Sequence, residues 1–281
     1  MTLFFFGLLC LHILFAFDLK IRLLVDYDFH SHVASDVGIG QTYLPPNNFE
    51  TQECLNTISR WTDDNLMKLN AAKCEYMVFS RSEENFATRL AINGTNLDRV
   101  HVSKLLGVWI SDDLSWSRNS AEICKQAYSR LSMITRLKYV GAKTEDLLDI
   151  YILYIRSVTE YCSTVFHSRL TDADSDKIER IQKTCLKVIL DVMYIDYNSA
   201  LEMTGLATLK NRRLKRCLDF SLKSIKHPRN SRMFPPSDTN PAYRIRNSEW
   251  FKVNFAHTSA YKDSTIPFCQ RLLNDHVFKK K

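Results

Sequence analysis

The eight cysteines of this chain form no C-x-x-C pair. Cys10, Cys54, Cys74, Cys124, Cys162, Cys185, Cys217 and Cys269 lie far apart, and no histidine pair stands near them at metal-ligand spacing. That pattern excludes zinc-finger and knuckle frameworks and predicts reduced thiols in an intracellular protein. Cys185 and Cys217 fall on apolar faces of helical patterns, where a thiol behaves as a small hydrophobe. His30 and His32 are the one close histidine pair, and their i, i+2 spacing without a third ligand argues against a metal site. The sequence also has no G-x-x-x-x-G-K-[ST] phosphate loop and no Ser/His/Asp pattern, which removes P-loop and triad chemistry.

Long apolar runs are lacking too, with one exception at the N-terminus. Residues Met1–Phe17 are apolar apart from Thr2 and His12, just under the ~20 residues that span a bilayer. The segment has neither a positively charged start nor a small-residue cleavage site. Three readings stay open for it: a short membrane anchor, a poor signal peptide, or a buried segment joined to this frame by truncation or gene prediction.

What is present is ordinary globular material: 281 residues, 45% hydrophobic and 25% charged, enough for one large core or two modest ones. The net charge of +7 is uneven, because residues 201–281 carry 17 Lys/Arg against 6 Asp/Glu while the first 200 residues are net acidic. A basic C-terminal third is the footprint of a surface that holds phosphates, and equally that of a solvated tail. Aromatics alternate with the basic residues in Tyr243-Arg244-Ile245-Arg246 and Trp250-Phe251-Lys252, which adds stacking platforms for nucleic acid.

The periodicity predicts an α+β protein, mostly α. Ile21–Val25 is apolar, and a loop after it ends in Pro45-Pro46. Leu55, Ile58 and Trp61 mark an amphipathic helix from Phe49 to about Leu66, followed by a short strand from Glu75 to Ser80. Asn93-Gly94 between two apolar runs reads as a type I′ hairpin turn; in a secreted chain, Asn93-Gly94-Thr95 would be a glycosylation sequon. Alternating Leu106, Val108 and Ile110 complete a small antiparallel sheet, to which a strand from residues 20–29 could belong.

From Ser117 the pattern is helical. Thr144 with Glu145 and Asp146 reads as an N-cap with acid in the first turn, and Leu147, Leu148, Tyr151, Tyr154, Ile155 and Val158 form its stripe. Further stripes are Ile178, Ile181, Cys185, Val188, Ile189 and then Leu214, Cys217, Leu218, Ser221, Ile225, giving three or four packed helices over about 117–227. After Pro228, the prolines Pro235, Pro236 and Pro241 predict an irregular basic tail. The expected domains are therefore an apolar segment 1–17, a sheet-bearing region 18–116, a helical domain 117–227 and a tail 228–281.

The runs Trp61-Thr62-Asp63-Asp64-Asn65-Leu66-Met67-Lys68-Leu69-Asn70 through Ser80, and Lys104-Leu105-Leu106-Gly107-Val108-Trp109-Ile110-Ser111-Asp112-Asp113-Leu114-Ser115-Trp116, carry a family signal. They are followed in order by Tyr161–Phe166, by Leu201–Leu209 with Arg212-Arg213 behind it, and by Tyr243–Asn247. This series, from about Cys54 to Phe268, resembles the late palm and thumb or connection of reverse transcriptases from non-LTR (LINE-like, jockey-type) retrotransposons. The resemblance implies a fragment of an RNA-directed DNA polymerase whose thumb elements hold RNA template and DNA primer. It places Lys73 where the family's late-palm lysine orients departing pyrophosphate, and Gly107 in the region that grips the primer end. It nominates Gly107, Arg212, Arg213, Lys215, Arg244 and Arg246 as nucleic-acid contacts.

Phosphoryl transfer of this kind needs carboxylates holding two metal ions, Mg²⁺ in the intact family enzyme. The family's aspartates are not recognisable here, so the resemblance implies a chain that does not polymerise DNA by itself and carries no metal. Asp26-Tyr27-Asp28 stands about where the catalytic hairpin pair belongs, with its aspartates separated by a tyrosine; Asp26 and Asp28, with Lys73, are the catalytic candidates. Asp63-Asp64 and Asp112-Asp113 are adjacent pairs at a helix end and in a loop. No small-molecule substrate is expected, and the family works in cytoplasm and nucleus, although residues 1–17 leave a membrane contact open. The alternative is a domesticated helical module that binds RNA or a protein, membrane-tethered or not. A third reading rebuilds a metal site on Asp26 and Asp28.

Overall fold

The computed structural model describes residues 22–26, 48–66, 70–79, 89–237, 250–253, 255–256 and 258–279. The chain divides into two units, residues 1–114 and 115–281.

In the first unit, strand β1 (Arg22–Asp26), helix α1 (Asn48–Asp64), strand β2 (Glu75–Phe79) and strand β5 (Asp98–Arg99) surround two hairpins, β3 (Ala91–Ile92) with β4 (Thr95–Asn96) and β6 (Val102–Leu105) with β7 (Val108–Ser111). The strand expected within residues 20–29 is present, but it pairs parallel: Arg22 lies opposite Glu75 and Asp26 opposite Phe79, and β5 joins β2 on its other side, also parallel. The antiparallel pairing expected for the whole sheet is confined to the hairpins. Tyr76, Met77 and Val78 on β2 are all buried. A strand covered on both faces has an unbroken apolar run, which periodicity alone does not distinguish from a half-buried one.

Leu55 of α1 packs with Cys74, Tyr76, Val78, Leu90, Ile92 and Leu97. Gln52 clamps the first hairpin, its Nε2 donating to the Ala91 carbonyl at 2.7 Å and its Oε1 accepting from the Ala91 N–H at 3.0 Å. One amide side chain thus does for Ala91 what a neighbouring strand would. Asn93 and Gly94 both have positive φ, 50° and 77°, as a type I′ turn requires.

In the second unit, α2 (Ser117–Tyr139) lies beside α6 (Asp172–Leu190), and the two run parallel. Ser117 Oγ donates to Asp174 Oδ2 at 2.8 Å at one end, and Lys138 Nζ meets Asp191 Oδ2 at 3.2 Å at the other. Between them comes α3 (Thr144–Ile150), which widens into a π-helical turn (Tyr151–Ile155) and continues as α4 (Arg156–Glu160); after extended Tyr161 and left-handed Cys162 comes the short α5 (Ser163–Phe166). Ala127, Ile134, Leu147, Tyr151, Ile155, Ile181, Cys185 and Ile189 make the central core. The expected stripes are there, except that Tyr154 and Leu214 are exposed; Tyr154 lies within the π turn, whose wider spacing departs from α-helical register. Thr144 is the first helical residue and not the cap; Lys143 holds the cap position.

Helices α7 (Tyr197–Thr204) and α8 (Leu209–Lys226) follow. Side chains cap α6, α7 and α8: Thr171 accepts from Asp174 N, Asp196 from Asn198 N and Ser199 N, and Thr208 from Asn211 N. Gly205 closes α7 with φ +65°, and nothing stands within 4 Å of where a Cβ would be. Gly205→Ala therefore meets no clash and pays only for the left-handed backbone, an expected loss of about 1 kcal/mol in urea unfolding.

The irregular tail expected after Pro228 is folded over residues 258–279, as α9 (Ser259–Lys262) and α10 (Thr265–Lys279). Cys269 and Leu273 of α10 are buried with Cys217 and Phe234. Asn274 Oδ1 accepts from Trp250 N and Phe251 N, and its Nδ2 donates to the Phe251 carbonyl. Pro267 hides this helix from a breaker rule, yet it sits in the first turn, where proline is tolerated.

Candidate nucleic-acid interface

Of the residues nominated from the sequence, Gly107 lies in the first unit and Arg212, Arg213 and Lys215 on α8; Asp28, Arg244 and Arg246 are outside the described residues. Gly107 is not within a strand. Leu106 and Gly107 are the two turn residues between β6 and β7, with φ of 49° and 87°, so the glycine supplies a type I′ turn. This also moves the buried alternation to Leu105, Val108 and Ile110. Lys73 closes a 3₁₀ turn (Ala71–Lys73) just before β2.

Asp26 ends β1, opposite Phe79. Asp63 and Asp64 are exposed at the end of α1, and Asp112 Oδ2 is 2.6 Å from His101 Nδ1. Among the described residues no three His, Cys, Asp or Glu side chains converge as metal ligands.

Positive charge gathers instead around Glu160, the last residue of α4. Its side chain is 4% exposed and is met by three guanidinium groups. Arg212 binds it through two nitrogens, Nη2 at 3.1 Å from Oε2; Arg216 Nη2 is 2.6 Å from Oε2; Arg156 Nε is 3.7 Å from Oε1. Burial disfavours the Glu160 carboxylate, but hydrogen bonding and charge from Arg212, with Arg216 and Arg156, outweigh it and hold the carboxyl below its ordinary value. One carboxylate neutralises one of three cations, so the cluster keeps a surplus of positive charge. Arg216, 49% exposed, presents much of that surplus to solvent. Arginine's planar fork suits bidentate phosphate contact.

Glu179 fixes the start of α8. It accepts from Leu209 N and Lys210 N, both at 3.0 Å, and from the Tyr197 hydroxyl. A carboxylate on the first N–H groups of a helix satisfies orphan donors and complements the dipole. Gln182 extends the network to the Tyr151 and Tyr197 hydroxyls and the Ala207 carbonyl. Arg213 points into this interior and is 0% exposed, with Nη2 on Ser175 Oγ at 2.7 Å. It offers no surface to a phosphate, which corrects its nomination. Its neighbour Arg212 is only partly exposed and is committed to Glu160. Lys215 is exposed, as are Lys223 and Lys226 on the same helix. Two adjacent arginines read alike in sequence, but 100° of helical rotation sends one to the core.

A second basic face lies on α6, where sequence reasoning placed only an apolar stripe. Arg180, Lys183 and Lys187 are exposed, at spacings that keep them on one side of the helix over about 10 Å, while Lys177 one turn earlier is paired with Asp174 at 2.9 Å. Lys183 Nζ sits 5.0 Å above the Tyr197 ring and Lys187 Nζ 5.5 Å above the Tyr194 ring, which orients both ammonium groups. Their spacing was visible in the sequence as the complement of the buried stripe.

No protein-family model, curated protein or solved structure matches this chain. The site therefore stands on its own geometry. Among the described residues no helix is long and apolar enough to cross a membrane; residues 1–17 lie outside them.

His167, between α5 and α6, packs edge-on against Phe268 with centroids 5.7 Å apart. Burial, helped by the charges of Arg213 and Lys210, pushes its pKa down to about 4. The unfolded chain takes up that proton near the ordinary 6.5, so the stability held above pH 6.5 is lost as pH falls toward 4. His167→Gln is expected to flatten the dependence of the urea midpoint on pH across that interval.

Proposed function

We propose that the chain is a truncated reverse-transcriptase fragment of the non-LTR retrotransposon kind, which holds nucleic acid through its helical unit and does not polymerise DNA by itself. The reading joins the ordered motif series from Cys54 to Phe268 with one geometric observation: three arginines share a single buried glutamate, leaving excess guanidinium charge at the surface. The basic faces of α6 and α8 extend that charge. Such surfaces bind backbone phosphates through charge and counterion release, with little regard to sequence. The proposed ligand is RNA, DNA or their hybrid, the setting is the cytoplasm or nucleus of the family, and Mg²⁺ belongs to the intact enzyme.

Template-primed DNA synthesis with Mg²⁺ or Mn²⁺, run beside binding of an RNA–DNA hybrid, tests the reading. Binding without incorporation is the expected result. Incorporation above background, abolished by Asp26→Ala, would overturn it in favour of a rebuilt metal site. The second reading, a domesticated helical module with a protein partner, draws on the exposed Val192 and Ile195 after α6, 93% and 81% accessible; absence of nucleic-acid binding would favour it.

A further inference from the structure

Two thiols meet where α8 packs on α10. Cys217 and Cys269 are both fully buried in one apolar cluster, and Cys269 Sγ lies 3.9 Å from the Cys217 carbonyl oxygen. The buried Ser221 hydroxyl donates to the same carbonyl at 2.7 Å. Phe234 and Leu273 close the surroundings. Other described thiols have different surroundings: Cys74 faces the Asn70 carbonyl, and Cys162 stands between α4 and α5.

We propose that Cys217 and Cys269 are an oxidation site, forming a disulfide that fastens α10 to α8 when the protein meets a peroxide. With the Cys269 sulfur already beside the Cys217 backbone and both residues in one buried cluster, side-chain torsion is what carries the sulfurs to the bonded distance of about 2.05 Å. The pair is also asymmetric. Hydrogen bonds from Cys217 and Ser221 hold the Cys269 thiol below its ordinary value, whereas the contact with Cys269 and burial push Cys217 up. Cys269 is therefore the sulfur that ionises first.

The Cys269 thiolate attacks one peroxide oxygen: an S–O bond forms, the O–O bond breaks and hydroxide leaves, giving a sulfenic acid. The Cys217 sulfur then attacks the sulfenyl sulfur. An S–S bond forms, the S–O bond breaks, and the hydroxyl departs with the Cys217 proton as water. In sum, two thiols are oxidised to one disulfide while one peroxide is reduced to two waters. Because both sulfurs are buried, peroxide reaches them when α10 lifts locally, and the bond then holds α10 down.

The test exposes the reduced full-length protein to hydrogen peroxide, alkylates it under denaturing conditions and maps the peptides. The expected product joins the Cys217 and Cys269 peptides, lighter by two hydrogens than the pair of thiol peptides. The oxidised protein melts at a higher temperature, and a dithiol reverses both changes. In Cys269→Ala, Cys217 stays alkylatable after the same exposure. The proposal is overturned if both thiols remain alkylatable at a dose that oxidises the half-buried Cys124 and Cys162, or if Cys217 and Cys269 join other cysteines as readily as each other. The wild-type map decides the matter even if the variant fails to fold.

Discussion

Glu160→Ala is expected to lower unfolding stability by about 1–3 kcal/mol, the cost of leaving charge-assisted donors without their acceptor when the arginines themselves are partly exposed. The substitution strips the acceptor from Arg212 and Arg216 and leaves them beside Arg156 with no carboxylate between them. The loss is larger than for a surface salt bridge, about 0–1 kcal/mol, because the carboxylate itself is almost wholly buried. Urea unfolding at neutral pH measures it, and a loss under about 1 kcal/mol would mean the cluster is a surface pair in energetic terms. The pH dependence gives a second check. Since folding holds this carboxyl below its ordinary 4.5, its contribution is fully present above pH 4.5 and is lost as pH falls through the lower folded value. Glu160→Ala should lack that component.

Replacing Lys215, Lys223 and Lys226 on α8 together by glutamine is expected to leave the fold intact, since all three are exposed, and to weaken nucleic-acid binding uniformly across sequences. Each lysine that neutralises a duplex phosphate contributes about 0.9 to the slope of log affinity against log salt. The triple variant should therefore show a slope shallower by up to about 2.7 if all three touch phosphate. Arg180→Gln with Lys183→Gln and Lys187→Gln makes the same measurement on α6, and comparing the two triples assigns the larger share of the interface. An unchanged slope in both triples would remove these helices from the interface.

The helical unit was legible in the sequence because each helix buries one stripe, as Ile178, Ile181, Cys185 and Ile189 do on α6. The Asn93-Gly94 turn was equally readable, since it depends on two residues that tolerate positive φ. Where the reading departed from the structure, a non-local partner or a local register decided. The parallel partnership of β1 with β2 joins segments separated by α1, and nothing in either strand names its partner. The π turn at Tyr151–Ile155 shifts Tyr154 outward without any proline or glycine to announce it. Asn274, which orders residues 250–251 from α10, turned an apparently irregular tail into a folded one.

The candidate site was less legible than the fold. Arg212-Arg213 stood out as a basic pair, but only tertiary packing separates an arginine on Glu160 from one on Ser175 inside the core. The role of Glu160 was invisible, because its arginine partners on α8 lie 52 and 56 residues away. The basic face of α6 was readable from spacing and was overlooked because the same helix carries so clear an apolar stripe. Lys183 and Lys187 gain their geometry from Tyr197 and Tyr194, which lie beyond the end of that helix.

The most direct test of the central claim is the affinity of the full chain for a labelled RNA–DNA hybrid, measured by fluorescence anisotropy across a salt series. The account predicts binding at low salt that is indifferent to sequence, with log affinity falling linearly and steeply as log salt rises. No binding at low salt, or binding that salt does not weaken, would contradict it.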